Sequence, residues 1–147
     1  KTLPSEVQWE YAASERGQKK NQLFYWGNNL LVNNKYMCNT WTSGYPNTIG
    51  FQDGFKYTSP ISHFEANSLG IFDMAGNVWE WCYNWHLPYE GNSQIFPTEL
   101  EGKAQRGGSF LCNPEYCHGF RLSARSATSP ESSLFHVGFR CVKNIIK

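Results

Sequence analysis

Aromatic residues outnumber branched aliphatic ones in this chain, and that ratio restricts its fold more than any other feature. The 147 residues hold 10 Phe, 8 Tyr and 6 Trp, against 21 Leu, Ile and Val together. A doubly wound α/β sheet needs Val/Ile-rich strands alternating with long amphipathic helices, and neither pattern occurs. Gly, Pro, Asn and Ser are plentiful, so much of the chain is expected in loops and turns. An aromatic content of 16% with a near-zero net charge favours collapse over disorder. The length suits one domain of about 100–150 residues. No internal repeat, linker or low-complexity segment divides it.

Charge and cysteine usage narrow the partners. Thirteen Lys and Arg oppose twelve Asp and Glu without a basic stripe, so the electrostatic footprint of a nucleic-acid binder is missing. The longest apolar stretches, such as Leu30-Leu31-Val32, are far too short to span a membrane. The opening Lys1-Thr2-Leu3-Pro4-Ser5 has no apolar core of a signal peptide. Cys38, Cys82, Cys112, Cys117 and Cys141 make an odd count, so full pairing leaves one over and the compartment stays open.

Local signals predict a few short elements. Ser5-Glu6-Val7-Gln8 has capping-box form and opens a helix expected from Glu6 to about Glu15, with Gly17 as its stop. Residues 21–67 lose helical periodicity; Trp26-Gly27-Asn28-Asn29, Gly44-Tyr45-Pro46-Asn47 and Asp53-Gly54 read as turns anchored by neighbouring aromatics. Val78 to Tyr83 alternates in strand fashion. Further strands are expected from Arg106-Gly107-Gly108 to Leu111, from Phe120 to Ala124 and from Val137 to Val142, with Pro88 to Lys103 as a surface excursion.

Two features could carry chemistry. In Cys112-Asn113-Pro114-Glu115-Tyr116-Cys117, two thiols flank a Pro-constrained loop. Such a loop can close a disulfide, exchange thiols or bind a soft metal. Zinc fits poorly, because no second Cys or His pair completes four ligands, whereas two thiolates suit Cu(I). The second feature is oxygen-rich turns: Asn39 and Asp53 bracket one, Asp73 and Glu80 another. Carboxylates, amides and carbonyls are what Ca²⁺ uses, although Asn and Asp ordinarily just cap turns. Trp79 and Trp81 read as core; Arg121, Arg125 and Arg140 could hold anionic substrate groups, although ion pairs with acidic loops are the commoner use.

Taken in order, Leu3-Pro4-Ser5-Glu6-Val7-Gln8-Trp9-Glu10-Tyr11-Ala12-Ala13, Tyr25-Trp26-Gly27-Asn28, Asn39-Thr40-Trp41, Asp53-Gly54-Phe55, Gly76-Asn77-Val78-Trp79-Glu80-Trp81, Arg106-Gly107-Gly108-Ser109-Phe110 and Gly138-Phe139-Arg140-Cys141 resemble the formylglycine-generating enzyme (sulfatase-modifying factor) family. Ala124-Arg125-Ser126 and Ser129-Pro130-Glu131-Ser132-Ser133 extend the match over essentially the whole chain. The resemblance implies a C-type-lectin-like α+β fold, low in regular structure, with short antiparallel strands and long ordered loops. It implies Cu(I) on Cys112 and Cys117, with Ser109 and Trp79 beside them. It also implies structural calcium at two positions: Asn39, Thr40, Asp53 and Phe55, then Asp73, Gly76, Val78 and Glu80.

The activity so implied is O₂-dependent conversion of a cysteine in a Cys-x-Pro-x-Arg segment of an unfolded or nascent sulfatase to Cα-formylglycine, with a thiol reductant. Some relatives of this fold are non-catalytic binding modules for protein or glycan, and others are iron sulfoxide synthases. The Cys112–Cys117 pair argues against the first. His63, His86, His118 and His136, which lack triad spacing, argue against the second. The chain departs from the family in three places. Ala13 and Leu122 stand where some members have a cysteine pair, Cys141 lacks the upstream cysteine it would pair with, and His136 replaces an Asn near the site. The motif order further implies residues 1–147 as the later part of a domain whose first part lies upstream of Lys1.

Overall fold

The computed structural model describes residues 1–47, 50–88 and 102–143. Helix α1 spans Glu6–Ala13. Its start is the expected capping box: Gln8 N–H donates to Ser5 Oγ at 3.1 Å, and Ser5 N–H donates to Gln8 Oε1 at 2.8 Å. The helix ends two residues earlier than expected. Left-handed backbone begins at Glu15 (φ 53°) and Arg16 (φ 63°), ahead of Gly17. Tertiary contact compensates, since the Glu15 carboxylate accepts from Ser68 N–H at 2.9 Å.

Inside the region expected to be all loop, β1 (Leu31–Val32) and β2 (Lys35–Tyr36) form a hairpin. Its two-residue turn, Asn33-Asn34, holds φ values of 50° and 60°. Two left-handed residues in a row match the twist of the flanking strands, and Asn tolerates that region better than most residues.

The main sheet runs β5-β4-β3-β6, with β3 at Trp79–Trp85, β4 at Lys103–Arg106, β5 at Ser126–Thr128 and β6 at Val137–Gly138. Pairing is antiparallel except between β3 and β6, which run parallel. The α+β architecture with little regular structure is therefore as expected, on a mixed sheet. Several strand boundaries are not. Arg106 ends β4 where a strand was expected to begin, because Gly107 (φ 91°) and Gly108 (φ 71°) turn the chain out of the sheet. A Cβ on Gly108 would lie 2.6 Å from Phe120 N. Phe120 to Ala124 forms turns, and the terminal strand is only two residues long. The expected excursion from Pro88 to Lys103 has residues 89–101 outside the described residues.

Burial is split between two apolar clusters. One gathers Trp9, Ala13, Tyr25, Met74, Cys82, Ala104 and Leu122; the other gathers Phe24, Cys38, Ala75, Cys112 and Phe120. Ala13 and Leu122 thus share one cluster as packed apolar residues. Rings seal the loops, with Phe24 stacked between Trp26 (4.6 Å) and Phe120 (5.5 Å). Threading the core is an ionic network. Arg106, fully buried, pairs with Glu6 at 3.5 Å and with Glu10, and donates to Leu122 O at 2.9 Å. Arg125 pairs with Glu6 at 2.5 Å. On the inward face of β3, Glu80 accepts from Trp9 Nε1 at 2.6 Å and pairs with Arg140 at 2.5 Å. Arg125 and Arg140 are thus structural ion-pair partners, but of carboxylates on α1 and β3 and not of the acidic loops expected.

Candidate active site

The glycine turn that ends β4 delivers Ser109 and Cys112 to the end of the sheet. Cys112 N–H donates to Ser109 O at 2.9 Å, and Ser109 N–H donates to the Cys112 sulfur at 3.4 Å. Asn113 then organises the loop. Its side-chain oxygen accepts from Glu115 N–H at 2.8 Å, and its carbonyl accepts from Cys117 N–H at 2.8 Å and Tyr116 N–H at 3.1 Å. This short turn brings the two sulfurs face to face as free thiols. Cys112 is buried, whereas Cys117 is half-exposed.

The pair is electrically asymmetric. A hydrogen bond from the Cys112 S–H holds Cys117 below the usual thiol range, against the effect of burial and with help from Gly119 N–H. That same bond, followed by burial, pushes Cys112 up. The one bond they share thus pushes the two sulfurs in opposite directions. Cys38 and Cys82 differ: burial is the first cause that raises both, Cys82 to about 12. They behave as core residues.

Trp79 closes over the loop. A Cβ added to Gly119 would lie 2.4 Å from Trp79 Cζ2 and 3.1 Å from Cys117 Sγ. Only a residue without a side chain lets indole and sulfur approach that place together. Trp79 N–H donates to His136 O at 2.9 Å, which puts the backbone of His136 beside this ring's strand. Ser109, Cys112, Cys117 and Trp79, all expected from sequence, therefore converge. Gly119 and Asn113 were not foreseen. The glycine is needed because of Trp79, which is distant in the chain, and no local signal marks it.

The first oxygen-rich set also assembles. Asp53 accepts from Thr40 N–H at 2.8 Å and Phe55 N–H at 3.1 Å, and burial raises its carboxyl above the usual range despite these bonds. Asn39 is fully buried, and its side-chain oxygen has no hydrogen-bond partner, although its amide donates to Tyr57 O at 2.7 Å. A buried acceptor without a donor, next in the chain to the N–H that Asp53 holds, fits a hard cation. In the second set, Asp73, Val78 and Glu80 line a cavity of about 410 Å³. There Arg140 already meets the Glu80 carboxylate and donates to Asp73 O at 3.2 Å, so a cation would share Glu80 with a guanidinium. Among the described residues no three His, Cys, Asp or Glu side chains cluster. The donor sets are instead a thiol pair and mixed carbonyl, amide and carboxylate oxygens.

Comparison with known proteins identifies the family. The family model described as "Sulfatase-modifying factor enzyme 1-like domain" matches residues 1–145. The chain belongs to the sulfatase-modifying factor family. It is 37% identical to the formylglycine-generating enzyme of Mus musculus, over 96% of this chain and 38% of that protein. It is 38% identical to the enzyme of that name from Thermomonospora curvata, over 96% of this chain and 48% of that one. It is also 33% identical to the inactive C-alpha-formylglycine-generating enzyme 2 of Bos taurus, over 96% and 43%. The chain thus spans less than half the length of these family members. Among solved structures, PvdO from Pseudomonas aeruginosa superposes with a TM-score of 0.65 at 25% identity, covering 93% of this chain and 50% of that one. No helix among the described residues is long and apolar enough to cross a membrane.

Proposed function

We propose that this chain carries the thiol centre of a formylglycine-generating oxidase. Its substrate is the cysteine of a Cys-x-Pro-x-Arg segment in an unfolded or nascent sulfatase, oxidised to Cα-formylglycine with O₂ and a thiol reductant. The observation that carries this reading is the paired Cys112 and Cys117, one sulfur buried and the other reachable, under the Trp79 indole. A module that only bound protein or glycan would have no use for such a pair. Two sulfurs without further charged ligands are a donor set for Cu(I), which when bound would supply the one-electron chemistry that O₂ reduction needs.

The protein's own residues do the rest. Cys112, locked by Ser109, sets one fixed point, and half-exposed Cys117 offers the approach. Trp79 and Gly119 exclude water from the enclosed side of the Cys117 sulfur. Ser109 N–H and hydroxyl face the Cys112 sulfur and hold its orientation. Structural calcium at both oxygen sets would then hold the loops that frame this centre.

Incubating the Cu(I)-loaded full-length protein with a Cys-x-Pro-x-Arg peptide under air should convert the peptide cysteine to an aldehyde, seen by mass spectrometry. Cys117→Ser should abolish conversion. A folded, copper-loaded protein that yields no product overturns the catalytic reading. The likeness to a protein named inactive favours a second reading, a non-catalytic binding module; peptide binding without conversion would establish it.

A further inference from the structure

The two candidate sites meet at one atom. The carbonyl oxygen of Cys112 accepts Trp41 N–H at 2.9 Å and also the Thr40 hydroxyl. Asn113, the next residue, donates back from Nδ2 to Trp41 O at 3.3 Å. A carbonyl has two lone pairs, so residues 40 and 41 saturate this one. The same short segment belongs to the oxygen-rich set. Thr40 is 2% exposed, its N–H is held by Asp53, and Asn39 with its unpartnered oxygen precedes it. Asn39 O in turn accepts from Asn77 N–H at 2.9 Å, while Asn77 O accepts from Phe110 N–H at 2.9 Å. Segment 39–41 is therefore bonded to residues 110–113 directly through Cys112 and Asn113, and indirectly through Asn77.

We propose that Thr40 is a positioning residue that couples cation binding at the Asn39–Asp53 loop to the placement of the Cys112–Cys117 pair. The proposal rests on the reading of both sites given above. Its physical basis is a division of labour within one residue. The Thr40 backbone belongs to the oxygen set, while its hydroxyl ends on the Cys112 backbone. A cation that draws the loop carbonyls inward fixes the Thr40 backbone, and the hydroxyl passes that restraint to Cys112. Moving the segment without moving Cys112 would strand a buried carbonyl, which is costly. Coupling of this kind is reciprocal, so the factor by which calcium changes Cu(I) affinity equals the factor by which Cu(I) changes calcium affinity.

Substitution separates the two duties. Thr40→Val keeps the backbone and the branched shape but removes the donor, whereas Thr40→Ser keeps the donor. Cu(I) affinity is measured by competition with a chromogenic chelator, with and without calcium, and the melting temperature is followed in parallel. In wild type and Thr40→Ser, calcium should change Cu(I) affinity by about fivefold or more. In Thr40→Val that factor should fall below about twofold, while calcium still raises the melting temperature. A Thr40→Val protein that keeps the full calcium effect overturns the proposal, as does a wild type whose Cu(I) affinity ignores calcium. Failure of the underlying sites looks different: no thermal shift with calcium, or no Cu(I) binding at all, removes a site and the coupling with it. Should Thr40→Val not fold, Thr40→Ala takes its place: a calcium effect on Cu(I) affinity below about twofold supports the coupling, and a full calcium effect overturns it.

Discussion

Gly119 shows how a single position can serve a site through what it lacks. The Trp79 ring and the Cys117 sulfur both crowd the place where its side chain would project. Gly119→Ala should therefore destabilise the fold by about 1–3 kcal/mol, the usual cost of overpacking, as read by urea denaturation. It should also change the rate at which iodoacetamide modifies Cys117. If the crowding is the cause, the penalty should shrink in a Trp79→Leu background, and an equal penalty there would refute it. Ser109, Cys112 and Cys117 are legible in the chain because they sit in one contiguous motif. Gly119 and the Thr40 hydroxyl are not, because each acts on a partner far away in sequence.

Helix α1 is legible for the converse reason. Its capping box closes within four residues and needs no tertiary information. The strand at Trp79 is legible too, from alternation, yet its buried face carries Glu80 and Cys82 while Trp79 and Trp81 are half-buried. Strand ends were misplaced around Gly107-Gly108, where the glycines leave the sheet instead of entering it. What fastens these elements to each other is the ionic network, and Glu6 is its hub. Burial pushes the Glu6 carboxyl up, but the bond and charge of Arg125, then Arg106 and Asn84, outweigh it and hold it below the usual carboxylate value. A carboxyl lowered in the folded state contributes stability that is complete above its unfolded pKa of about 4.3 and lost as pH falls through the folded value. Glu6→Gln should cost about 1.5–3 kcal/mol near neutrality, since it removes charge-assisted bonds to Arg125 and Arg106 while Glu10 stays on Arg106. The variant should also flatten the acid limb of melting temperature against pH. An unchanged acid limb would exclude Glu6 as its source.

At the scale of the molecule, a domain this poor in sheet and helix depends on what pins its loops. Rings do part of that, and the oxygen-rich sets are placed to do more. Calcium at 100 times its dissociation constant would add about 2.7 kcal/mol, which is several degrees of melting temperature for a chain of this size. A chelator should remove that increment, and Asp53→Asn should abolish most of it. Asp73→Asn should matter less, because Arg140 already balances Glu80 in the second set. A melting temperature indifferent to chelator would dismiss calcium from both.

Composition by itself excluded a doubly wound α/β sheet, and the resemblance of the ordered motifs to a known family supplied the class of fold and singled out the thiol pair, because such motifs are carried by residue type and local spacing. Only the tertiary structure decided which thiol is buried, why Gly119 must be glycine, and that the Thr40 hydroxyl ends on the Cys112 carbonyl. It also decided that a fully buried arginine, beside the apolar cluster of Trp9 and Ala13, joins α1 to the sheet. Each of these depends on a contact between residues far apart in the chain, and side-chain burial and hydrogen bonding arise only once the loops have closed over one another.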